Sequence, residues 1–166
     1  MWARLEKVYQ NAERITIDKN SKIVCMSDCH RGVGDRGDNF LPNQNLFFTA
    51  LRYYYDKCFA YFELGDGDEL WENRKLSKIV EIHSDAYWMM SKFSQEGRFR
   101  MLYGNHDCQK KYNKEFFPGM CAQEGILLTD NVTGHEILLL HGHQGDLLND
   151  TFWKVASFLV RFVWKP

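Results

Sequence analysis

The sequence predicts an α/β domain in which strands and helices alternate. Three observations carry this: short apolar runs that end in polar residues, helical-period segments between those runs, and a composition of 45% hydrophobic and 15% aromatic residues over 166 positions. That is enough apolar material for a packed core at this length. Three prolines and the lack of any repeat or low-complexity stretch give no domain boundary, so residues 1–166 read as a single domain.

The elements follow in order. Trp2, Leu5, Val8 and Ala12 fall at helical spacing and predict an amphipathic helix over residues 1–15. Residues 22–28 (KIVCMSD) form a short apolar run ending in polar side chains, the pattern of a buried strand. A helix over 45–57, a strand over 58–66, a helix over 75–95 and a strand over 99–105 repeat the unit. Such βαβ connections are almost always right-handed and build a parallel sheet covered by helices. A short helical patch over 110–117 precedes strands at 125–129 and 136–140. The tail 147–164, with Phe152, Trp153, Val155, Phe158, Leu159, Phe162 and Val163, reads as a helix apolar around much of its circumference, capped by Asp150 or Thr151. A buried core helix is the first expectation; self-association through 147–164 or a lid over an acyl substrate are the others. Lys154 and Arg161 interrupt it, and no transmembrane segment is expected.

Charge narrows the function classes. The 21 Lys and Arg balance 22 Asp and Glu, a net −1, so recruitment to a phosphate backbone or an anionic membrane is not indicated. Five cysteines without a CxxC pair indicate neither a disulfide framework nor a zinc ribbon. The first twenty residues mix charges and lack the apolar stretch of a signal peptide. A cytoplasmic protein is the expectation.

Four polar clusters each follow a predicted strand: Asp28-x-His30, Gly65-Asp66, Gly104-Asn105-His106-Asp107 and His141-Gly-His143. From Asp28 to Asp66 to Asn105 to His141 the steps are 38, 39 and 36 residues. Ligands in open α/β sheets bind at the carboxyl edges of strands. Carboxylates that converge there cannot all stay ionised without cations. Asp oxygens, His nitrogens and an Asn amide suit Mn, Fe, Co or Zn, and a bridging carboxylate can hold two such ions. A pair of metals polarises a phosphoryl group and lowers the pKa of a water.

With these motifs the chain resembles the calcineurin-like metallophosphoesterase superfamily, which has DxH, GDxx(D/E), GNH(D/E), a lone His after an apolar strand, and a final GHxH. The first four are present, from about Ile23 onward. GDGDELW, with Glu69 and Trp71, is similar to the branch containing UDP-2,3-diacylglucosamine pyrophosphatases, although that branch has GNRD where this chain has GNHD.

The resemblance implies a layered β-sandwich flanked by helices and a hydrolase of phosphoester bonds, phosphodiester or pyrophosphate before phosphomonoester. The cofactor would be two divalent ions, Mn favoured, and the substrate a small phosphorylated molecule, nucleotide- or lipid-linked. Asp28 and His30 would hold one metal, Asp66 would bridge, and Asn105 with His141 would hold the other. His106 would be a catalytic group rather than a ligand, with Asp107 setting its orientation, and Arg31 would contact substrate phosphate. The final GHxH is missing, so the C-terminal part of the fold is expected to be absent, with His143 a possible substitute ligand.

The rival reading is a metal-depleted, catalytically weak domain that binds a phosphorylated ligand or a partner protein. A dinucleotide-binding domain fails because no GxGxxG or GxxxxGK(S/T) follows a strand. Arg36-Gly37-Asp38 reads as a chance triplet in a flexible loop, 32–43, that shapes access to the site. His83 in mid-helix and His135 in a turn read as solvent-exposed.

Overall fold

The computed structural model describes residues 2–112 and 117–164. Its strands form two sheets. The first is wholly parallel in the order β2-β3-β4-β5, from β2 (Ile23–Met26), β3 (Ala60–Leu64), β4 (Phe99–Leu102) and the two-residue β5 (Ala122–Gln123). The second has the order β1-β6-β7, from β1 (Glu13–Ile17), β6 (Gly125–Asp130) and β7 (Glu136–Leu140). Here β1 runs parallel to β6 and β7 antiparallel. The fold is α/β, as the alternation predicted.

The two-residue period of β3 shows how the layers form. Phe62 and Leu64 point toward the second sheet, where they join Leu102, Ile126, Leu128, Ile15 and Leu139 in the core between the sheets. Tyr61 points the other way, into a larger core with Phe47 and Leu51 of helix α2 (Gln44–Asp56) and Met90 and Phe93 of helix α4 (Ser84–Gln95). Helix α1 (Trp2–Asn11) lays Val8 against Gly125 at the start of β6.

Several elements depart from the sequence reading. The predicted first helix stops at Asn11, and Glu13–Ile17 instead becomes β1, whose alternating Ile15 and Ile17 reach the inter-sheet core. The predicted helix over 75–95 is two helices, α3 (Leu76–Ile82) and α4, broken at His83. His83 is fully buried, contrary to the exposed role expected of it. Its Nδ1 meets Gln44 at 2.9 Å and its Nε2 meets Asp38 at 2.7 Å. Asp38 in turn accepts amides from Gly34, Phe40 and Leu41, so this stretch of the 32–43 loop is pinned rather than free.

The tail is not one buried helix. It comprises α5 (Leu147–Asp150), α6 (Trp153–Leu159) and a π-helical turn over Val160–Trp164, with Phe152, Val155, Phe158, Leu159 and Phe162 exposed. Of the helical patch predicted over 110–117, a 3₁₀ turn at Cys108–Tyr112 is present, while 113–116 lie outside the described residues. Among the described residues no helix is long and apolar enough to cross a membrane.

Candidate metal centre

The candidate site lies beyond the carboxyl ends of β2, β3, β4 and β7. Past their last paired residues, the chains leaving β2 and β3 stay zipped together. The amides of Asp28, His30 and Arg31 donate to the carbonyls of Gly65, Asp66 and Gly67 at 3.1, 2.9 and 3.0 Å. Asp28, His30 and Asp66 adopt left-handed backbone conformations, with φ of 55°, 49° and 50°. Non-glycine residues rarely do so, and such strain concentrates where surrounding structure enforces it at functional sites. These turns swing all three side chains to the same edge.

Asp28, Asp66 and His141 place one ligand atom each within 4.8 Å of one another. His141 follows β7. Its Nδ1 donates to the Leu64 carbonyl at 2.9 Å, which leaves Nε2 facing the Asp66 carboxylate at 3.3 Å. His30 behaves alike: Nδ1 meets Glu69 at 2.8 Å, and Nε2 stands 3.9 Å from oxygens of both Asp28 and Asp66. An imidazole tied through one nitrogen and aimed through the other is the arrangement found around protein-bound metals. Two glycines make the approach possible. A β-carbon on Gly65 would strike the His141 ring, and one on Gly104 would strike the Asp66 carboxylate.

The electrostatics match. Burial opposes a charge on Asp66, yet His141, His106 and the His106 amide hold its carboxyl below the usual range. Burial likewise works against protonated His141, but Asp66 raises its pKa to about 9. The donor set of carboxylate oxygens and imidazole Nε2 atoms fits a borderline divalent ion.

A second group adjoins the first. Glu69 bridges the Nδ1 atoms of His30 and His106, at 2.8 and 2.7 Å. Burial would raise the Glu69 pKa, but hydrogen bonds to His106 and His30 pull it down to about 2. His106 also stacks on Trp71, with ring centroids 4.0 Å apart and planes 19° from parallel. Trp71 donates its indole N–H to the Asn105 carbonyl at 2.7 Å and fixes the loop that carries half-buried Asn105 beside the cluster.

Three assignments change. Arg31 is fully buried and out of reach of any substrate phosphate. It is bidentate to Glu63 at 2.8 and 2.6 Å and reaches Asp68 at 2.7 Å. Asp107 does not orient His106, a task that falls to Glu69. Its carboxylate is buried beneath the loops, accepting amides from Gly104, Asp66 and Gly67 and pairing with buried Lys110 at 2.7 Å. His143 does not join the Asp66 cluster. It is 7% exposed, and it groups instead with Glu124 and Asp150, two carboxylates already engaged by Arg4.

The buried charges under the site had one visible signal. Glu63 sits inside the apolar strand CFAYFEL, and a carboxylate there needs a buried cation. The structure supplies Arg31, while Lys110 pairs with Asp68 and Asp107 at 2.7 Å each. Comparison of the chain with family models, with curated proteins and with solved structures gave no match.

Proposed function

We propose that the chain hydrolyses phosphoester bonds, phosphodiester or pyrophosphate in preference to phosphomonoester, using divalent cations held around Asp66, as the resemblance to calcineurin-like metallophosphoesterases implies. One observation carries this reading: Asp28, Asp66 and His141 arrive from three strand ends with ligand atoms within 4.8 Å. Asp28 and His30 would hold one cation, Asn105 and His141 the other, and Asp66 both. The chemistry such an ion would supply when bound is polarisation of a phosphoryl oxygen and a lowered pKa for a water.

The chain's own residues do the rest. His106, fixed through Nδ1 by Glu69 and through its ring face by Trp71, keeps Nε2 for the developing phosphoryl charge and for the proton that the leaving oxygen needs. Asp107 and Lys110 sustain the loop geometry from below and touch no substrate.

The experiment is metal analysis joined to hydrolysis of bis-p-nitrophenyl phosphate with and without Mn. Turnover that depends on Mn is the expected result, and Asp66→Asn removes both turnover and most bound Mn because the shared carboxylate loses its charge and an oxygen donor. A protein that binds phosphate esters but shows no metal-dependent turnover is the binding domain of the rival reading.

A further inference from the structure

The Asp28 carboxylate, 60% exposed, has two neighbourhoods. On one side is the Asp66 cluster. On the other is an open cleft of about 400 Å³ between the end of β2 and the first turns of α2. Met26, Phe40, Leu46, Phe47 and Ala50 supply most of its wall. Phe40 and Phe47 form the floor at 4% and 8% exposure, and their rings meet edge to face at 4.9 Å. Leu46 stands on the rim at 71% exposure. The polar groups of the wall are neutral apart from Asp28, with Asn39 and Asn43 among them, and no lysine or arginine lines it.

We infer that this cleft is the subsite for an uncharged aryl group on the phosphoester substrate, an inference that rests on the hydrolase reading above. A phosphoryl group held at Asp66 would lie at the cleft's Asp28 end, so the ester group it carries need only continue along the wall. The wall chemistry selects that group. Apolar side chains with a few neutral hydrogen-bonding groups gain from covering a flat ring. A second phosphate or a carboxylate would enter a cleft that offers it no cation and would face the Asp28 charge. The substrate class is therefore an aryl ester bearing a single phosphoryl group, and the pyrophosphate expectation carried by the resemblance is disfavoured.

Calorimetric titration of the Mn-loaded protein with phenylphosphonate and methylphosphonate tests this without turnover. Burial of one ring predicts that phenylphosphonate binds roughly tenfold more tightly or better. In Leu46→Asp, a substitution at an exposed helix position, that preference falls toward unity. Equal affinities in the wild type, or a preference untouched by Leu46→Asp, overturn the inference. The hydrolysis assay separates the two readings. Mn-dependent turnover without a phenyl preference sinks the cleft alone, a preference without turnover sinks the hydrolase alone, and binding of neither phosphonate sinks both.

Discussion

Glu69 is the residue on which the His30 and His106 imidazoles depend. Its carboxylate meets Nδ1 of His30 and of His106 and also accepts the amides of Trp71 and Glu72, so it builds the turn and aims the rings together. Glu69→Gln keeps the shape and the amide contacts but loses the charge. Partners of this kind typically govern metal affinity by 10–100-fold. Mn affinity, read by calorimetry, is expected to fall by about that factor with the circular dichroism unchanged. His106→Ala divides the roles differently. General acid catalysis is worth about 10²–10⁴ in rate, so turnover should fall by that order while Mn content, measured by mass spectrometry, stays at the wild-type level. Equal loss of metal would make His106 a ligand instead of a catalytic group.

At the scale of elements, the junction of the 32–43 loop with α3 and α4 is a charged hydrogen-bond knot. Asp38 binds His83 and three loop amides, and Phe40 packs edge to face on the His83 ring at 5.1 Å. Burial opposes ionisation of Asp38, but the Gly34 amide and His83 outweigh it and hold its carboxyl below the usual value. A depressed carboxyl contributes stability that is complete above its unfolded pKa and disappears as pH falls through the folded one. Asp38→Asn should therefore cost about 1–3 kcal/mol at neutral pH, the range for leaving buried polar partners unsatisfied. The gap between variant and wild type, followed by urea unfolding, should narrow below about pH 4. A gap that stayed constant down to pH 3 would assign the loss to shape alone. This knot also accounts for the broken helix: the apolar period of 75–95 is real on both sides of His83, but the imidazole turns inward to a partner 45 residues earlier in the chain.

For the whole molecule, the core lies apart from the candidate metal centre. Two apolar clusters, one between the sheets and one under α2 and α4, need no cation. The edge that carries the candidate site, by contrast, gathers Asp28, Asp66 and Glu69 around His30, His106 and His141. A cation that binds the folded chain alone stabilises it by about 2.7 kcal/mol at 100 times its Kd. For a domain of this size that corresponds to roughly 5–10 °C in Tm. Chelation by EDTA should lower the melting temperature by about that amount and leave a cooperative transition, seen by calorimetry. An EDTA-treated protein with no transition would mean that the metal builds the fold. The exposed apolar face of α6 belongs to this scale too: its residues obey the helical period that suggested a core helix, but no layer of described residues covers them.

The strand ends and the order of the polar clusters were legible in the sequence because each is a local pattern. An apolar run of four or five residues closing on Asp28, Asp66 or Asn105 places those side chains at one edge once β2, β3 and β4 pair in parallel, whereas His141 arrives there from β7, the antiparallel strand of the other sheet. The partners of the ionisable groups were not local. In the sequence Arg31 reads equally well as a contact for substrate phosphate or as a surface arginine opening a loop, and the register of β2 on β3 puts it against Glu63 and Asp68 in the interior. The same holds for Glu69 reaching back 39 residues to His30, and for His143 lying with Glu124 and Asp150. A residue's spacing along the chain fixes which edge it reaches. Which charge it meets there depends on packing between segments far apart in sequence, and that is settled only when the layers close.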